Sequence, residues 1–192
     1  MYISTIVDSL NKNKVSKVKY IMDHLVTGSY LAGGSLRTFV DTSETVSDYD
    51  LFFKSQAARD RQLEVLKGLG FIVVFQCPRG ELTTLTLAKT IKVQLITKRF
   101  YTDHKDLLGS FDFNVCKACI TEGVLYFSRE FIKGVVKKVL LIDRVEYPVA
   151  TINRIGKYQA KGYRLTQDNL VNFINLLKAN EFNEESLALY ID

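Results

Sequence analysis

The spacing of apolar and polar positions divides the chain into a strand-rich centre and a helical end. Ile3 to Asn11 and Val15 to Val26 carry apolar residues at helical intervals. In the second, Val15, Val18, Ile21, Met22 and Leu25 share one face. Ser29 to Ala32 reads as a short strand that runs into Gly33-Gly34-Ser35, and a helix is predicted from Leu36 to Val40. Asp41 to Ser47 is polar and predicts a loop. Tyr49 to Phe53 is an apolar strand entered through Asp48. Gln56 to Leu69 is an amphipathic helix that Gly70 stops. Phe71 to Cys77, Leu82 to Ala88 and Ile91 to Ile96 predict three strands, with turns at Pro78 to Gly80 and at Lys89-Thr90. Asp103 to Leu108 is a short helix, and Glu122-Gly123 between two apolar runs predicts a hairpin. From Pro148 the pattern is helical: Pro148 to Lys161, Gln167 to Lys178 and Glu184 to Tyr190. The expectation is an α/β (α+β) fold, with a mixed sheet and flanking helices over residues 1–146 and a helical appendage over residues 147–192.

Composition changes this picture little. With 47% hydrophobic and 24% charged residues, a chain of 192 residues can bury an ordinary core. Three cysteines cannot form a closed disulfide set. Cys116 and Cys119 lie in an apolar segment and read as buried thiols in a reducing compartment. Cys77, His24 and His104 lack the paired spacing of a zinc site. The first ten residues lack a basic start followed by an apolar run, and no apolar stretch is long enough to span a bilayer. The expected location is therefore the cytoplasm, or the host cytoplasm for a virus-encoded protein. The net charge of +5 suits a polyanionic partner, such as a nucleoside triphosphate or a nucleic acid.

Chemistry concentrates in Tyr30-Leu-Ala-Gly-Gly-Ser-Leu-Arg-Thr-Phe-Val40 and Ser47-Asp-Tyr-Asp-Leu-Phe-Phe53. Gly33 and Gly34 let the backbone approach a ligand closely, amides at a helix start attract phosphate, and Ser35 adds a hydroxyl donor. Strand alternation puts the carboxylates of Asp48 and Asp50 on one face. Two adjacent carboxylates repel each other, and a shared Mg2+ relieves that repulsion. Arg37, one turn into the helix after the cradle, is a candidate phosphate contact. Arg154, Lys157 and Lys161 fall on one face of a later helix and can hold a triphosphate or an RNA backbone. Asn153 and Tyr158 are candidates for base contacts, Tyr158 by stacking.

Gly33-Gly34-Ser35, a helix and then Asp48-Tyr-Asp50 together resemble the signature of the polymerase-β-like nucleotidyltransferases. Within that superfamily the chain looks most similar to the head domains of bacterial-type CCA-adding enzymes and poly(A) polymerases, in a compact form like some viral and phage members. Ser110-Phe-Asp-Phe-Asn-Val-Cys-Lys-Ala118 resembles their Arg-Arg-Asp-Phe-Thr-x-Asn-Ala motif at Asp112-Phe113. Pro148 to Tyr163 resembles their arginine-rich helix. Ser110-Phe111 replaces the family's Arg-Arg, and Cys116 replaces its Asn. In Lys92-Val-Gln-Leu-Ile96, Gln94 stands where superfamily members with a third carboxylate carry it.

The resemblance implies Mg2+-dependent transfer of a nucleoside monophosphate from an NTP such as ATP to an acceptor hydroxyl, with release of pyrophosphate. Asp48 and Asp50 are then the catalytic, metal-binding residues of a two-metal site. Gly33, Gly34, Ser35, Arg37, Asp112, Arg154 and Lys157 are the nucleotide contacts. The expected acceptor is RNA, in particular a tRNA 3′ end. Transfer of AMP to a protein, as in toxin–antitoxin pairs, is the alternative acceptor chemistry. A non-catalytic nucleotide- or nucleic-acid-binding module is the alternative class, and Gln94 favours it.

Overall fold

The computed structural model describes residues 2–6 and 16–183. Its centre is an eight-stranded mixed sheet in the order β1-β8-β7-β2-β3-β6-β5-β4. The strands are β1 (Tyr2–Ile6), β2 (Ser29–Ala32), β3 (Tyr49–Phe53), β4 (Ile72–Gln76), β5 (Leu82–Leu87), β6 (Ile91–Ile96), β7 (Ala118–Thr121) and β8 (Val124–Ser128). Every pairing is antiparallel except β3 with β6, which lie parallel in the middle. Val139–Leu140 (β9) and Arg164–Leu165 (β10) form a small parallel pair. The helices are α1 (Ser16–Met22), α2 (Gln56–Gly68), α3 (His104–Ser110), α4 (Arg129–Lys137), α5 (Pro148–Ala160) and α6 (Gln167–Ala179). The helix expected from Glu184 to Tyr190 lies outside the described residues, as do Lys12, Lys14 and Val15.

The two faces of the sheet bury different sets of side chains. Leu31, Leu51, Phe53, Val93, Leu95 and Ile120 point into the main core. There they meet Val18 and Ile21 of α1, Ala58 and Leu66 of α2, Phe131 and Val135 of α4, Tyr158 of α5 and Phe173 of α6. Tyr30, Ala32, Phe52 and Cys119 point the other way, toward Leu107 and Leu108 of α3. Alternation along β2 and β3 thus sends successive residues to opposite cores. Between Tyr49 and Leu51 of the main core, Asp50 falls on the second face of β3.

Local chemistry fixes the element ends. Ser55, Asp103, Ser128 and Thr166 cap α2, α3, α4 and α6 by accepting hydrogen bonds from backbone amides, and Pro148 opens α5. Glu122 and Gly123 both take positive φ, as a two-residue hairpin between β7 and β8 requires. The predicted strands of the centre and the two helices after Pro148 are present to within a residue or two.

Two readings of the pattern are corrected. Tyr2–Ile6 is a strand, where helical spacing predicts the start of a helix running to Asn11. It pairs antiparallel with β8, so the tertiary contact overrides a short periodic signal, and the β-branched Ile3, Thr5 and Ile6 suit the pleat. The helix after the cradle is a 3-10 helix that starts at Gly33 and ends at Phe39, so the glycines lie inside it. Helix α4, absent from the predicted elements, packs its Gly134 against the buried Asn114. Asn114 donates through Nδ2 to the carbonyls of Glu130 and Val139 and accepts from the Leu141 amide.

One buried carboxylate ties the loop after the cradle to the helical end. The side chain of Glu44 is 3% exposed. It accepts from Arg37 Nε at 3.0 Å and from the Tyr163 hydroxyl at 2.8 Å, and it pairs with Lys138. Lys138 also pairs with Asp41 at 2.9 Å. Arg37 is itself 3% exposed and donates to the Tyr158 hydroxyl at 3.3 Å. Lys138 is therefore part of this buried network and not plain surface charge.

Burial alone would raise the pKa of Glu44. Hydrogen bonds from Lys138, Tyr163 and Arg37 outweigh that and hold it below the ordinary 4.5. Hydrogen bonds from Ser43 and Lys138 likewise depress Asp41.

A folded-state value below the unfolded one gives stability that is whole above about pH 4.5 and is lost as the pH falls through the folded value. Acid should therefore unfold the protein in that window, followed by circular dichroism. Glu44→Gln should flatten the acid limb and cost about 3 kcal/mol at neutral pH, because Arg37 is left buried without its partner. An unchanged acid limb would show that the network contributes nothing. Independently, a Cβ at Gly134 would sit 2.2 Å from Asn114 Nδ2. Gly134→Ala should lower the urea-unfolding free energy by about 1–3 kcal/mol, whereas neutral behaviour would contradict this packing.

Candidate functional site

The site forms where β2 ends, β3 begins and β6 runs alongside. The β2–β3 register sets Ala32 opposite Asp50, so the cradle leaves β2 directly beside that carboxylate. Gly33 has φ +82°, and a Cβ there would meet Asp50 Oδ2 at 3.3 Å. Only glycine satisfies both the left-handed backbone and the close carboxylate. Gly34 has a different reason to lack a side chain. A Cβ on it would lie 2.8 Å from Nη1 of Arg37, whose guanidinium Glu44 and Tyr158 hold in place.

Ser35 is 4% exposed, and its hydroxyl is buried without a hydrogen-bond partner. Its carbonyl accepts from Thr38 Oγ1 at 2.8 Å, which steadies the 3-10 turn. A buried hydroxyl without a partner is costly unless a ligand or water completes it. The Ser35 hydroxyl thus keeps an unused donor within the cradle segment.

Asp48 lies one residue before β3 and accepts from Ser47 Oγ at 3.0 Å. Lys92 Nζ stands 3.5 Å from Asp48 Oδ2. The parallel β3–β6 register sets Asp50 level with Gln94, so the two point to the same face. Just before that ladder, Lys92 approaches Asp48, so the site has two rungs: Asp48 with Lys92, and Asp50 with Gln94. Gln94 is 7% exposed. Among the described residues, no group of three or more His, Cys, Asp or Glu is arranged to hold a metal. The hard oxygens of Asp48 and Asp50 still suit a single Mg2+, and the Ser35 hydroxyl suits its accompanying phosphate.

The other sequence-predicted residues gather around α5. Asp112, 6% exposed, accepts from Thr151 Oγ1 at 2.8 Å and pairs with Arg154 Nη2 at 3.1 Å. Burial pushes the Asp112 carboxyl up, while Arg154 and Thr151 pull it back. Lys157 is exposed on the same helix. Lys161 is exposed, yet desolvation lowers its pKa, Arg37 lowers it further, and Glu44 and Asp48 oppose them.

Arg37 is not at the surface. It lies beneath Gly34, with its guanidinium carbon 5.2 Å from the Tyr158 ring centre. Base stacking by Tyr158 is corrected too. The ring is buried at 9% exposure, and its hydroxyl is 2.8 Å from Cys116 Sγ. Cys116, which replaces the family's Asn, thus completes the contact that joins α5 to the cradle through Arg37. Sequence reasoning missed Glu44, Lys138, Tyr163 and Lys92. Their partners lie 94 and 119 residues away for Glu44 and across a strand pair for Lys92, so only the register of Lys92 offered a signal.

Comparison with known proteins gives the same fold. The Thermotoga maritima CCA-adding enzyme complexed with tRNA superposes on 93% of this chain and 47% of that chain, with a TM-score of 0.67 and 14% identity. A CCA-adding enzyme complexed with ATP matches the same shares with a TM-score of 0.69 and 17% identity. One complexed with CTP gives 0.65 and 15%, over 93% of this chain and 46% of that chain. The chain has the nucleotidyltransferase fold of these enzymes' head regions.

A curated relative, Gabija anti-defense 2 of Bacillus phage SPbetaL7, is 23% identical over 171 residues, covering 85% of this chain and 41% of that protein. The chain thus spans less than half the length of these relatives. The pattern of the Gabija anti-defense 2 family matches residues 3–138, most of the chain. On that match, the chain belongs to the Gabija anti-defense 2 family.

Proposed function

We propose that this chain is a nucleotidyltransferase that moves a nucleoside monophosphate from an NTP to an acceptor hydroxyl, and that a phage uses it against the defence its family is named for countering. One observation carries the reading. Asp48 and Asp50 stand together at the mouth of a glycine cradle, and the Ser35 hydroxyl in that cradle is buried without a partner. A purely structural turn has no need of that combination.

In the proposed reaction the acceptor oxygen bonds to the α-phosphorus, the α–β anhydride bond breaks, pyrophosphate leaves and the acceptor's proton passes to solvent. Magnesium held by Asp48 and Asp50 would supply charge neutralisation and activation of the phosphoryl group. The chain's own groups do the positioning. The backbone at Gly33 and Gly34 lets phosphate oxygens come close, and Ser35 donates to one of them. Arg37 and Glu44 keep the cradle rigid from below. Asp112 and Arg154 form a fixed polar pair suited to hydrogen bonds with the nucleotide, and Lys157 and Lys161 add positive charge outside it. The net charge of +5 supports an RNA acceptor, in particular a tRNA end. The relative's name supports a second reading, in which the acceptor is a protein hydroxyl on a component of the defence.

Incubating the protein with each α-labelled NTP, Mg2+ and an extract of host cells tests both readings. Label should enter RNA or protein, and Asp48→Asn/Asp50→Asn should reduce it to background while the circular dichroism spectrum stays unchanged. RNase-resistant label would select the protein acceptor. Label retained in the double variant, or no label with any NTP, would contradict a catalytic role and favour a binding module.

A further inference from the structure

The second rung of the site carries a cation of its own. Superfamily sites with three carboxylates set three negative charges against their metal ions. Here Gln94 is neutral, and Lys92 brings a positive charge to 3.5 Å from Asp48. Asp48, Asp50, Gln94 and Lys92 together carry one net negative charge. Without nucleotide, two divalent ions beside that set would be held by one net negative charge only, against the field of Lys92.

The Lys92–Asp48 contact does not rest on the two side chains alone, which are 43% and 26% exposed. The β3–β6 ladder fixes the adjoining backbones side by side, and Val93 and Leu95, on either side of Gln94, are fully buried. The backbone of Lys92 is thus held beside the start of β3, and its side chain reaches Asp48 from there. Nor does the cluster rest on acidic residues alone. The adjoining cradle contains the buried, partnerless Ser35 hydroxyl, and Gly33 abuts Asp50.

We propose that Lys92 is a built-in cation that takes the place of one of the two metal ions expected from the sequence, leaving Asp48 and Asp50 to bind a single divalent ion with the nucleotide. This rests on the nucleotidyltransferase reading and specifies its site. Lys92 offsets part of the Asp48 charge whether or not a nucleotide is present, whereas a metal would do so only when bound. Its ammonium also supplies N–H donors to a polyphosphate oxygen at the same place. It lacks the Lewis acidity that lowers the pKa of a bound hydroxyl. The chain is thus suited to holding a triphosphate at low metal concentration, at the expense of activating the acceptor oxygen.

Electron paramagnetic resonance of Mn2+ tests this without an activity readout. The full chain is mixed with Mn2+ and a non-hydrolysable ATP or CTP analogue equimolar with protein, with analogue alone as the control. The wild-type complex should bind one Mn2+ and give no spin-coupled pair. Lys92→Met/Gln94→Glu should bind two and give the coupled spectrum. Lys92→Met alone should bind Mn2+ about tenfold more tightly without nucleotide, because one unit charge beside the site is gone. A coupled pair in the wild type would overturn the proposal and leave the nucleotidyltransferase reading standing. Unaltered affinity in Lys92→Met would overturn it in the same way, even if the double variant fails to fold. No nucleotide-dependent Mn2+ binding in the wild type would overturn both.

Discussion

A single buried carboxylate, Glu44, holds together parts of the chain that no local interaction would join. It receives hydrogen bonds from the cradle helix through Arg37, from the end of α5 through Tyr163, and from the residue after α4 through Lys138. A carboxylate at 3% exposure persists as a charge only with such partners. In return it fixes the loop between the cradle and the two aspartates, which otherwise has few apolar side chains to anchor it. The relation of Gly33–Ser35 to Asp48 and Asp50 depends on that anchor. So does the seat of α5, whose Tyr158 reaches the same guanidinium.

The sheet supplies the complementary constraint. One parallel pair at the centre of an otherwise antiparallel sheet brings β6 alongside β3 and sets Gln94 level with Asp50. Tyr49 and Leu51, on either side of Asp50, are locked into the main core, so that carboxylate has no alternative face. Rigid placement of charge is what the proposed chemistry needs, because phosphoryl transfer depends on positioning and electrostatics more than on covalent work by the protein. The departures from the relatives' pattern are physically connected. Cys116 meets Tyr158, and Gln94 and Lys92 lower the negative charge of the rungs.

The cradle, the paired aspartates, the central strands and the helices after Pro148 were legible in the sequence, because each is a local pattern of periodicity, glycine or charge. Strand β1 was not, since five residues carry too little periodicity to decide between helix and strand, and the open side of β8 decides it. Helix α4 did carry a helical signal, a Ser128 cap with Phe131 and Val135 four residues apart on the buried face, which reading the preceding apolar run as strand passes over. The Glu44 network was invisible because its charges read singly as surface residues, and only the fold brings them together. Tyr158 read as a stacking platform because helical spacing does not say which face is buried.

The most direct test of the central claim is a crystal structure of the protein with Mn2+ and a non-hydrolysable NTP analogue, recorded at the manganese absorption edge. The account predicts anomalous density against the carboxylates of Asp48 and Asp50, with the triphosphate on the Gly33–Ser35 backbone and an oxygen within hydrogen-bonding reach of Ser35 Oγ. A nucleotide bound elsewhere, or a cradle that stays closed over Asp50 with no metal at saturating Mn2+, would contradict it.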